Sequence, residues 1–140
     1  MADILIAADS PGVYREVASV LAGPGTTIRW VRRGQDVHPE HDRQPAGLIV
    51  ADMQIATMGG IAVAIDLRLE ADAGRLLPCP VLVLLDRRAD VFMARRSGVD
   101  GWLLKPLDPI RTRRAAATLL QGGTWYDETL IPEPVLVPGA

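Results

Sequence analysis

The chain has 140 residues, of which 49% are hydrophobic and 23% charged, with a formal net charge of −2. That is enough for one core, too little for a catalytic domain beside a separate substrate domain, and too apolar for a disordered chain. The near-neutral balance excludes a global electrostatic pull toward nucleic acid or an anionic membrane, and a single cysteine, Cys79, excludes an internal disulfide or a cysteine zinc cluster.

The first apolar run, Ile4-Leu5-Ile6-Ala7-Ala8, is continuous, the pattern of a strand buried on both faces of a parallel sheet. Ser10-Pro11 then reads as an N-cap followed by proline at the first helical position. Val13, Val17, Val20 and Leu21 recur at helix spacing before Gly23 ends the turn series. Residues 26–31 alternate more and predict an edge strand. Over 34–45, Pro39 and the scarcity of apolar residues predict a short or distorted helix. Leu48-Ile49-Val50-Ala51 is a second continuous strand, and residues 60–73 supply a helix. Val81-Leu82-Val83-Leu84-Leu85 is a third, followed by a helix over 88–97; Trp102-Leu103-Leu104 is the last. Asp108-Pro109 repeats the earlier helix start, and Gly122-Gly123 stops that helix. Five alternations of strand and helix with short connections predict a doubly wound α/β sheet. Beyond it, Pro132, Pro134 and Pro138 punctuate a tail that cannot form a second domain.

Ligands of open parallel sheets sit beyond the carboxyl ends of the strands. Those ends carry Asp9, Asp52, Leu85 with Asp86, and Lys105. Two carboxylates and an ammonium thus converge from three strands, a hard-oxygen set that suits Mg²⁺. Lys105 is the only lysine among fifteen basic residues, and a compact point charge there suits a phosphoryl or carboxylate partner. A purely structural ion pair with Asp52 is the competing reading.

In order and separation, four segments resemble the receiver domains of two-component response regulators, over residues 3–121. They are Ile4-Leu5-Ile6-Ala7-Ala8-Asp9-Ser10-Pro11, Leu48-Ile49-Val50-Ala51-Asp52, Met58-Gly59-Gly60-Ile61, and Leu103-Leu104-Lys105-Pro106-Leu107-Asp108-Pro109. The resemblance implies a flavodoxin-like fold, a five-stranded parallel sheet in order 2-1-3-4-5 with five flanking helices. Residues 1–121 form that single domain and 122–140 a proline-containing tail. It also implies roles: Asp52 accepts a phosphoryl group from a histidine kinase, and acidic residues after the first strand hold Mg²⁺. A serine or threonine after the fourth strand and the lysine matching Lys105 bind the phosphoryl oxygens. An aromatic three residues before the lysine, here Trp102, turns inward on activation.

Three departures stand out. Family members carry an acidic pair after the first strand, but here it reads Ala8-Asp9, so a weak Mg²⁺ site on Asp9, Asp52 and the carbonyl of Gln54 is expected. Leu85 replaces the switch hydroxyl, and Asp86 replaces a small residue. Leucine cannot donate the hydrogen bond by which a phosphoryl group would favour the active state, and without a differential contact a modification shifts no equilibrium. The expectation is a stand-alone atypical receiver, not an enzyme, that acts through protein contact with impaired switching. The alternative is a working single-domain regulator phosphorylated on Asp52.

Residues 87–114 carry eight basic against three acidic groups, and the rest of the chain seven against fourteen. Arg95, Arg96, Arg111 and Arg114 are therefore candidates to dock an acidic protein surface, although an ordinary solvated helix face reads the same way. The tail, with Val135-Leu136-Val137, is a second candidate contact; Trp125 and Tyr126 are expected to anchor its start against the last helix. DNA is disfavoured for want of a helix-turn-helix. His38 and His41 read as surface polar residues without a third metal ligand, and Cys79 as a buried small residue. No apolar run nears the roughly 20 residues of a membrane span and the opening residues carry no basic leader signature, so a cytoplasmic domain is expected.

Overall fold

Every expected apolar run forms a strand in the computed structural model, which describes residues 2–127. In chain order the elements are β1 (Ala2–Ala7), α1 (Pro11–Leu21), β2 (Thr26–Val31), a 3₁₀ turn (Gly34–Asp36), α2 (Val37–Arg43), β3 (Leu48–Asp52) and α3 (Gly60–Asp72). They continue as β4 (Val81–Leu85), α4 (Ala89–Ser97), β5 (Gly101–Leu104), α5 (Pro109–Leu120) and β6 (Trp125–Tyr126). The sheet order is β2-β1-β3-β4-β5-β6, with every described pairing parallel. The first five strands thus stand in the expected order. The sixth corrects the expectation of five: residues 125 and 126 pair with Gly101 and Trp102 instead of merely packing on the last helix.

The helix starts follow their caps. Ser10 Oγ accepts from the Val13 amide at 3.3 Å and the Asp108 carboxylate from the Arg111 amide at 2.8 Å, each with proline next in the chain. Pro39 does not interrupt α2. It lies in the first turn, where an amide has no intrahelical acceptor to lose. Helix α4 ends at Gly98, whose left-handed φ of 67° places a Cβ-free residue against the Arg68 guanidinium.

Successive strand residues alternate between two cores. Leu5, Ile49, Val83, Leu85, Trp102 and Leu104 face Ile61, Leu67, Val91 and Ala94 of α3 and α4. Ile6, Val50, Leu82, Leu84 and Leu103 face Val17, Ala115 and Leu119 of α1 and α5. This double burial is why the strands read as unbroken apolar runs. Burying each such side chain contributes about 1.5–3 kcal/mol, so the strand ends are held rigidly at one edge.

His41 also departs from expectation. It is fully buried, its Nδ1 accepting from the Ala46 amide at 3.0 Å while Nε2 donates to the Leu77 carbonyl at 2.8 Å. That pairing defines the neutral tautomer and satisfies both ring nitrogens. His38 meets Asp66 at 3.1 Å on the surface. Cys79 is largely buried; burial, followed by the charges of Asp100 and Asp3, pushes its thiol up to about 12, which suits a packing role.

Candidate functional site

The carboxyl ends of β1, β3, β4 and β5 bring the predicted polar residues together on one edge. Asp52 closes β3 and is only 2% exposed. Lys105 follows β5, its amide donating to the Leu85 carbonyl at 2.9 Å and its peptide to Pro106 being cis. From there Nζ donates to Asp52 Oδ1 at 2.7 Å and to Asp86 Oδ1 at 2.9 Å. Burial works against the charge, but the hydrogen bonds to Asp52 and Asp86 outweigh it and raise the ammonium above its ordinary value. Lys105 is therefore shared between two carboxylates. The sequence locates Asp86 at a strand end but gives no sign that its side chain turns onto the lysine.

Asp9 is exposed, and its Oδ2 accepts from the Ala56 amide at 3.2 Å, tying the loop after β1 to the loop after β3. That second loop is tightly held. A Cβ on Gly34 would lie 2.1 Å from the Met58 carbonyl oxygen, so glycine is required for the backbones to approach, and Thr57 adopts φ 68° while its hydroxyl accepts from Gln35. Ala8 is buried in the α1-side core, and its carbonyl accepts from the Trp30 indole at 2.9 Å. Trp30 in turn stacks on Tyr14 at 4.1 Å, with Arg32 4.5 Å from its ring centre. The position lacking an acid is thus an apolar, internally bonded corner.

No group of three His, Cys, Asp or Glu side chains is placed to hold a metal among the described residues. Two carboxylates at the edge nevertheless fit Mg²⁺, which takes one or two and keeps its waters. Leu85 is fully buried in the core that also contains Trp102. Trp102 itself is 1% exposed and stacks on Tyr126 with ring centres 4.6 Å apart.

The candidate partner residues come from helices on both sides of the sheet. Arg95 and Arg96 lie on α4, over the rings of Trp102 and Phe92, whereas Arg111 and Arg114 lie on α5, across the sheet. Arg111 pairs with the buried Asp127 carboxylate, a partner that sequence reasoning missed. The tail residues Val135, Leu136 and Val137 lie outside the described residues.

A parallel sheet in this order, with carboxylates and a lysine converging at its carboxyl edge, defines the receiver class of signalling modules. The response regulator receiver domain family matches residues 4–117, and the chain belongs to that family. It is 28% identical over 112 residues to an uncharacterized 14.6 kDa protein of Leptolyngbya boryana, covering 80% of this chain and 85% of that one. Among solved structures, the signal receiver domain of a Syntrophus aciditrophicus signal transduction histidine kinase shares the fold at TM-score 0.76 and 24% identity, with 99% of each chain covered. The response regulator ChrA of a heme-sensing two-component system aligns at TM-score 0.69 and 23% identity over 89% of this chain; this chain spans 59% of that one. No helix among the described residues is long and apolar enough to cross a membrane.

Proposed function

We propose that this chain is an atypical receiver that acts by contacting a protein partner, and that a phosphoryl group on Asp52 is poorly transmitted to the rest of the fold. One observation carries the reading: Leu85, fully buried in the core that also holds Trp102, stands where transmission calls for a hydroxyl. Its alkyl side chain offers a phosphoryl oxygen no hydrogen bond, so the modified and unmodified states differ by no contact there.

The chemistry at Asp52 is separable from that transmission. A carboxylate oxygen of Asp52 would attack phosphorus, forming the acyl phosphate O–P bond as the donor's P–N or P–O bond breaks, and the leaving group takes the electron pair. Lys105 stands on that carboxylate and would neutralise phosphoryl charge, the main demand of such a transfer. Asp9 and Asp52 would hold Mg²⁺, which when bound supplies further charge neutralisation at the phosphoryl oxygens. Asp86 works in the opposite sense, competing with phosphoryl oxygens for Lys105 and adding a negative charge beside them. The 2.7 Å Lys105–Asp52 contact favours a second reading, a working single-domain regulator served by a histidine kinase.

Incubation with a small phosphodonor and Mg²⁺, followed by intact mass and amide NMR, separates the two. The proposal expects phosphoryl incorporation, lost in Asp52→Asn, with shifts confined to the site loops. Shifts spreading through α4 and β5 would establish the working switch instead. Affinity capture with wild type and Asp52→Asn is expected to recover the same partner from both.

A further inference from the structure

We infer that the segment 125–127 is an internal latch that pins Trp102 inward and closes the β5 edge, so that this ring does not follow events at Asp52. This goes beyond the function proposed above and holds whether or not Asp52 accepts a phosphoryl group.

Three contacts build the latch. After α5 the chain turns at Gly122, with φ 87°, and comes back alongside β5 in parallel, with the Trp125 amide donating to the Asp100 carbonyl at 3.2 Å. Next, Tyr126 lays its ring over Trp102 at 4.6 Å between centres and 28° between planes, an offset stack. Last, Asp127 is drawn into the protein, 2% exposed, where its Oδ2 accepts from the Leu104 amide at 3.1 Å and Oδ1 pairs with Arg111.

A two-residue strand has too few ladder hydrogen bonds to hold itself. The buried, charge-assisted anchor at Asp127 and the ring stack at Tyr126 do the holding, one on each side of the sheet edge. The consequence falls on Trp102. Its indole Nε1 is buried without an acceptor among the described residues, so water would satisfy it, yet the ring stays in. An orphaned buried donor favours outward motion, and Tyr126 stands across that path. Leu85, on the neighbouring strand and in the same core, offers no polar group to draw the ring or the backbone toward Asp52.

The test is indole N–H exchange into D₂O in the full-length ¹⁵N-labelled protein. Its three tryptophans give three indole signals, assigned by single Trp→Phe changes. We expect the Trp102 signal to exchange slowly in wild type and at least about tenfold faster in Tyr126→Ala/Asp127→Ala, while amides of β1 and β3 keep their protection. Tyr126→Phe, which retains the stack, should exchange like wild type. Should the double change unfold the protein, Tyr126→Ala alone, with the Asp127 anchor kept, carries the same comparison. Unchanged Trp102 exchange in the folded variant overturns the latch, as does a wild-type Trp102 signal that moves on adding Mg²⁺ and beryllofluoride.

Discussion

The two halves of the sheet's carboxyl edge are built differently. At the β1–β3 side, Asp9 is exposed to solvent and Asp52 meets the ammonium of Lys105, so charge is available for an incoming anion or cation. At the β4–β5 side, Leu85 and Trp102 are sunk in an apolar core, and Tyr126 of β6 stacks on Trp102. On the function proposed above, the first half does the chemistry and the second resists movement. In a receiver these two tasks ordinarily meet across one site; the proposed function separates them, treating acceptor chemistry and conformational transmission as independent properties of the fold.

Single substitutions put that contrast to the test. Trp102→Ala attacks the rigid half directly and should cost about 3–5 kcal/mol of stability in urea denaturation, because the ring fills a closed core. Leu85→Thr restores a hydroxyl. It should nevertheless destabilise by about 1–3 kcal/mol, since the group enters an apolar core, and long-range amide shifts on adding beryllofluoride should remain absent while β6 is in place. Long-range shifts in that variant would show that the missing hydroxyl alone, and not the latch, separates the halves. Asp86→Ala acts on the chemical half: removing a like charge beside the phosphoryl position should raise beryllofluoride affinity about tenfold, read by titration calorimetry. Asp9→Asn should lower Mg²⁺ affinity by roughly fivefold in the same instrument.

The smallest effect concerns pH. The folded pKa of Lys105 lies above its unfolded value, so its stabilising contribution is complete below the unfolded value of about 10.4 and fades as pH rises through the folded one. Urea midpoints of wild type and Lys105→Met should keep a constant separation from pH 7 to 9 and converge only at strongly alkaline pH.

The contrast was legible in the sequence to different depths. Unbroken runs such as Val81-Leu82-Val83-Leu84-Leu85 announce doubly buried strands because both faces of each are covered. Ser10-Pro11 and Asp108-Pro109 announce helix starts through local chemistry alone. The meeting of Asp52 with Lys105 follows from strand ends sharing one edge. Other features depend on how distant segments pair. β6 is too short to show a period, and His41 is buried only because Leu77, far along the chain, joins the nearby Ala46 amide in satisfying its ring. The arginines look like one basic surface in one dimension, but α4 and α5 place them on opposite sides of the sheet. Asp86 reads as a strand-end acid, and only its rotamer makes it a partner of Lys105.

Because Lys105 is the sole lysine, its Nζ is the sole side-chain primary amine in the protein. Feeding ε-¹⁵N-lysine during expression would therefore yield a spectrum with one ammonium resonance, free of overlap, located between the Asp52 and Asp86 carboxylates. The molecule carries its own single-nucleus reporter at the place where the proposed ions, donors and mimics would arrive.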